Sequence, residues 1–164
     1  MKCKKMLMAT LAVVMLLTSV IPASANNNTD VNFATVVENG WRHESSDAAQ
    51  RLKTDDSASY VNYSTRVNGS GATGPHQFEA IIYGCRAYAG TYVDCTSYTW
   101  DGLPRTKAIV TKGSVGLVRQ DIYEKFGSGA YGQIWGGYSG YTGTAKGCWS
   151  VDSVGSYPYY NKLK

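Results

Sequence analysis

The stretch QFEAIIYGCRAYAGTYVDCTSYTW, residues 77–100, decides the class of fold. It is dense in Ile, Tyr, Val, Thr and Trp, the residues that suit a pleated and half-buried surface, and a small-residue turn interrupts it at Ala89–Thr91. It therefore predicts two antiparallel strands, Gln77–Tyr88 and Thr91–Trp100. Cys85 and Cys95 lie at equal distance from Gly90, so this hairpin sets them opposite each other on one face and predicts a disulfide between them. A bond closing so small a loop is worth about 2–3 kcal/mol in the chain-entropy model. Cys95 with Cys148 is the competing pairing, and the expected one leaves Cys148 as an unpaired thiol.

The same composition runs outward in both directions. Further strands are expected at Ser59–Val67, Arg105–Thr111, Val115–Tyr123, Tyr131–Gly136 and Lys146–Val151, separated by Asn68-Gly69, Gly71–Pro75, Asp101–Pro104, Lys112-Gly113 and Gly127–Gly129. Short strands at such spacing predict an all-β fold, a small antiparallel β-sandwich or partly open barrel. Two segments also fit a helical period: Ser45–Lys53, with Ser46 as its N-cap, and Val115–Phe126. The one short helix is expected near residues 45–53.

Before residue 26 the pattern changes. Lys2, Lys4 and Lys5 precede an apolar run from Met6 to Ile21, then Pro22 and the small-residue site Ala23-Ser24-Ala25. This is the pattern of a secretory signal peptide over residues 1–25, cut between Ala25 and Asn26. The 16-residue run is shorter than the roughly 20 residues that span a bilayer core, so no stable membrane anchor is expected. The expected organisation is a signal peptide, a flexible tail at 26–30 and a single secreted β domain at 31–164. Cleavage removes Cys3 and three of the 16 basic residues, leaving 13 against 12 acidic ones, a net charge of +1. So small a charge argues against nucleic acid as a partner.

Signals for catalysis are sparse. The chain has two histidines, His43 and His76, and no HExxH, CxxC or phosphate-binding glycine loop, so no metal or cofactor is expected and no catalytic residue is assigned. Cys148 with His76 is the pair to consider for a thiol nucleophile, and Glu79 with Asp94 for acid and base. The aromatic residues point elsewhere. All 13 tyrosines and all four tryptophans follow the leader, and from Gly127 to Gly147 eight of 21 residues are Gly, around the tandem Gly137-Tyr138-Ser139 and Gly140-Tyr141-Thr142. Rings on such a segment suit stacking on a sugar or a protein surface, which makes Tyr138, Tyr141 and Trp135 the candidate binding residues. The competing use of Trp100, Trp135 and Trp149 is to fill the core.

The segment Arg51–Val61, RLKTDDSASYV, together with Cys95-Thr96, Ile122-Tyr123-Glu124 and the closing Gly147-Cys148-Trp149-Ser150-Val151-Asp152-Ser153, resembles a family of small exported proteins of Gram-positive bacteria. That family's domain is of unknown function, and its ending reads Gly-x-Trp-Ser-Pro-Asp-Ser, with Pro where this chain has Val151. The resemblance implies an exported β domain and assigns no functional residue. Gly40-Trp41-Arg42-His43 and Ser57–Ser64 are also similar to lactococcin-type bacteriocins, secreted by an ordinary signal peptide and folded as small β-sandwiches. The expected function is non-enzymatic binding at the cell envelope or outside the cell, with cell-wall polysaccharide or an extracellular protein as partner. A bacteriocin-like antimicrobial or toxin is the alternative, and a small secreted hydrolase the second.

Overall fold

The computed structural model describes residues 30–45, 50–63, 74–100, 102–137 and 140–164. The expected leader, its cut at Ala25 and Asn26, the tail before Asp30 and Tyr138 lie outside the described residues. In chain order the strands are β1 (Val31–Val37), β2 (Arg42–Glu44), β3 (Arg51–Leu52), β4 (Ser59–Asn62), β5 (Gln77–Cys85), β6 (Val93–Asp94), β7 (Thr99–Trp100), β8 (Leu103–Pro104), β9 (Ile109–Thr111), β10 (Val115–Val118), β11 (Tyr131–Gly137) and β12 (Gly143–Ser150). One short helix, α1 (Ile122–Phe126), precedes β11. The fold is all-β, as the sequence predicts.

The first sheet runs β1-β12-β4-β10 and the second β2-β11-β5-β6, with β3 also on β11 and β9 also on β5. All these pairs are antiparallel. Period-2 alternation selects what each sheet buries. Phe33, Val37, Val61, Ala145 and Trp149 of the first sheet share one core with Phe78, Ala80, Ile82, Val110 and Ile134 of the second. The Phe78 ring joins them, 5.8 Å from Phe33 and 5.2 Å, edge-on, from Tyr63. Trp149 is therefore core, and removing a fully buried ring of that size costs about 3–5 kcal/mol.

The hairpin register corrects the disulfide expectation. Tyr83 pairs with Asp94 and Gly84 with Val93, and the Cys95 amide bonds Ile82 O, so Cys85 and Cys95 are three residues out of step. An odd offset puts them on opposite faces. Cys95 is in the core, while Cys85 sits opposite Tyr131 on the outer face with its thiol donating to Ala87 O at 3.0 Å. Cys85, Cys95 and Cys148 are all free thiols, so the Cys95–Cys148 pairing is absent too. The same segment yields two short strands rather than one long one. The Asp94 carboxylate accepts from the Thr96 amide at 2.9 Å, and the Thr96 hydroxyl takes the Ile82 amide at 2.8 Å, side chains replacing rungs of the ladder.

Among the described residues the helix is the one at 122–126, in the second segment that fits a helical period. Arg51 and Leu52 form β3 against Gly132 and Tyr131, and residues 46–49 lie outside the described residues. The helix has a seat because Gly84 and Gly132 face each other across β5 and β11. A Cβ on either would meet the Ile122 side chain, at 2.7 Å from Gly84 and 3.0 Å from Gly132. Gly127 then ends the helix at φ +78°, its amide bonding Tyr123 O.

The first and last of the segments that carry the sequence resemblance meet in one buried lock. Lys53 Nζ lies 2.5 Å from Asp152 Oδ1, both side chains 0 % exposed, and also donates to Ser57 O and Val151 O. Asp152 Oδ2 accepts from the amide and hydroxyl of Thr54, at 3.0 and 2.7 Å. Gln120 bridges Ser57 O to the Ile122 amide, tying the lock to α1. Burial pushes the Lys53 amine below its ordinary pKa, and the hydrogen bond and charge of Asp152 oppose that.

Candidate functional site

Alternation leaves the odd-numbered residues of β5 and β11 on the outer face of the second sheet. Cross-strand neighbours there are Tyr131 with Cys85, Gln133 with Tyr83, Trp135 with Ile81 and Gly137 with Glu79. β2 adds Glu44 beside Trp135 and Arg42 beside Gly137, and β6 adds Asp94 beside Tyr83. The Trp135 and Tyr83 rings stack with centroids 4.3 Å apart and planes 25° from parallel. Such a stack covers one face of each ring and leaves the other face of each as the platform, with both residues half-buried.

Polar contacts fix the platform. Trp135 Nε1 donates to Gln133 Oε1 at 3.1 Å, and Gln133 Nε2 in turn donates to Glu44. Arg42 Nη1 donates to Asp94 Oδ2 at 2.7 Å and to the Tyr83 hydroxyl at 3.2 Å, so one guanidinium ties β2 to β5 and β6 beside the stack. The hydrogen bond to Tyr83, with the Asp94 charge, raises the Arg42 pKa further, and burial opposes it. The Tyr98 hydroxyl lies 3.4 Å from Asp94 Oδ2, and burial, reinforced by that carboxylate, pushes it up to about 12.

One end of the face opens into a cleft of about 250 Å³ lined by Asn39, Gly40, Trp41, Arg42, Glu79 and Lys107. The turn from β1 to β2 supplies its rim, with Gly40 at φ +78° and the Trp41 side chain turned out to 65 % exposure. Glu79 is 3 % exposed; its Oε2 accepts from Lys107 Nζ at 3.0 Å, and its buried Oε1 has no hydrogen-bond partner. A buried carboxylate oxygen without a donor is costly, which makes it an unfinished polar group at the cleft.

The structure treats the sequence-predicted residues unequally. Trp135 is on the platform and not in the core. Tyr141 is 43 % exposed, its ring 5.7 Å from His76, away from the platform's own contacts. Tyr138 lies outside the described residues, and of Trp100 the side chain does. Cys148 faces Asp30, at 3.7 Å, and burial together with that carboxylate pushes its thiol up to about 11. This is the reverse of what a thiolate nucleophile needs. Glu79 and Asp94 are each paired with a cation, Lys107 and Arg42, rather than with each other. Among the described residues no group of three His, Cys, Asp or Glu side chains is placed to hold a metal ion, and no helix is long and apolar enough to cross a membrane.

Sequence reasoning missed Trp41, Arg42, Tyr83, Gln133 and Lys107. The signal lay in the period-2 rows Glu79-Ile81-Tyr83 and Tyr131-Gln133-Trp135, whose mixed aromatic and polar character sets them apart from the apolar rows of the core. No curated protein and no solved structure matches the chain. A family model described as a protein of unknown function, DUF2712, matches residues 21–153. With both halves of the Lys53–Asp152 lock and every residue of the outer face inside that span, the chain belongs to the DUF2712 family.

Proposed function

We propose that this chain is an exported, non-enzymatic binding domain that works at the cell envelope or outside the cell through the outer face of its second sheet. The observation that carries the reading is the Trp135–Tyr83 stack, held rigid by Gln133, Glu44, Arg42 and Asp94 and adjoined by the exposed Trp41. Aromatic surface that is fixed in advance binds at a low entropic cost. The leader pattern supports export, and cell-wall polysaccharide is the partner whose apolar C–H ring faces suit aromatic stacking.

The test is sedimentation of the purified mature chain with insoluble cell-envelope material. Retention is expected, and Trp135→Ala should lose most of it while keeping the same thermal midpoint within a few degrees. A chain that stays in the supernatant with every envelope fraction contradicts the reading, as does retention that Trp135→Ala leaves intact.

A further inference from the structure

We infer that the cleft between the β1–β2 turn and the β5–β9 edge is a subsite for one neutral sugar ring, with Glu79 as its hydroxyl acceptor and Trp41 as its stacking plate. This deepens the proposed function and rests on it. Two observations converge on the cleft. Glu79 Oε1 is buried and lacks a donor, whereas a sugar offers hydroxyl groups that donate and accept at once. Lys107, bound to the other oxygen of the same carboxylate, is a cationic donor whose side chain is 61 % exposed and long enough to swing aside. Adjacent hydroxyls of one ring match that acceptor and donor side by side.

Size and charge narrow the ligand. At about 250 Å³ the cleft is smaller than the roughly 300–1,000 Å³ of drug-sized sites, so it takes one ring rather than an extended segment. Arg42 is matched by Asp94 and Lys107 by Glu79, so the cluster carries no net charge to select an anionic sugar. Gly137 keeps the approach open, since a Cβ there would lie 3.2 Å from Glu79 Oε2 and 2.9 Å from the end of Ile81.

The experiment titrates the mature chain, by tryptophan fluorescence and calorimetry, with glucose, galactose, mannose and N-acetylglucosamine oligosaccharides and with glucuronate and galacturonate oligomers. At least one neutral oligosaccharide is expected to bind, with affinity that changes less than twofold between low and moderate salt. Trp41→Ala and Glu79→Gln should each weaken it about tenfold or more, the scale of one stacking contact or one charge-assisted hydrogen bond. Thermal melts of both variants separate loss of the subsite from loss of the fold. If a variant melts early, Lys107→Gln and Asn39→Ala at the rim replace it as reporters, and unchanged affinity in both overturns the inference. Failure of every neutral sugar to bind, or tighter and salt-sensitive binding of the acidic oligomers, also overturns it. Retention on envelope material is measured alongside: retention without sugar binding removes the subsite and leaves the proposed function, while loss of both removes both.

Discussion

Replacing Asp152 by Asn keeps the shape of the buried lock and deletes its negative charge. Lys53 Nζ then remains 0 % exposed with carbonyl oxygens and only a distant carboxylate, Asp55, at 3.8 Å. Breaking a fully buried pair by removing one partner costs about 3–5 kcal/mol, because the remaining ion is left without water and without its main counter-charge. Asp55 places the expected loss near the lower end, about 3 kcal/mol. With a urea slope of about 1–3 kcal/mol per molar, the unfolding midpoint falls by at least ~1 M. Replacing both partners, Lys53→Met with Asp152→Leu, removes the uncompensated charge and should recover most of that loss.

The pH dependence has a definite sign. Lys53 has a lower pKa in the folded chain than in the unfolded one, so between those two values the unfolded chain holds the extra proton and stability rises with pH. Asp152 opposes the lowering, so Asp152→Asn lowers the folded value further and widens this window downward. The variant should therefore regain stability as the solution is made alkaline, and at lower pH than the native chain. Urea melts over a pH series decide it. Asp152→Asn within ~0.5 kcal/mol of the native chain, or a double variant no more stable than the single one, would refute the reasoning.

Thiol labelling should find Cys85, Cys95 and Cys148 all free: Cys95, pushed up to about 12 by burial, and buried Cys85 should react only on unfolding, and a Cys85–Cys95 peptide from unreduced protein would contradict the register. Ile122→Ala empties the Gly84–Gly132 socket and should cost about 2–5 kcal/mol in denaturant melts. Gly84→Val, which drives atoms into Ile122 and the Cys95 thiol, should prevent α1 from docking, seen as hydrogen exchange across 122–126 rising toward unprotected rates while β1 and β12 stay protected.

Much of the fold was legible because strand chemistry is local. Tyr131–Gly136 and Gln77–Tyr88 carry the β-branched, aromatic and turn residues that make β11 and β5, and the first recovers β11 to within one residue. What escaped was set by distant partners. Symmetry about Gly90 suggested one register, yet the Asp94–Thr96 side-chain turn and the Thr96–Ile82 bond choose another, and neither can be weighed from spacing. The helix followed the same rule: Val115–Phe126 fits a helical period, yet only 122–126 is helical, where two glycines nearly fifty residues apart make its seat. Lys53 and Asp152 read as ordinary polar residues until the fold buries them together. At the candidate site, Trp135 was named from composition, but its partners Arg42, Tyr83 and Gln133 come from three strands that meet only in the sheet.

Hydroxyl-radical footprinting of residues 26–164, with and without envelope material, tests the binding face itself. The account predicts protection of Trp41, Tyr83 and Trp135, and none at Tyr60 and Tyr157, which line a separate cleft of about 220 Å³ with Asp30. Protection at Tyr60 and Tyr157, with Trp41 and Trp135 still oxidised at the unbound rate, would contradict it.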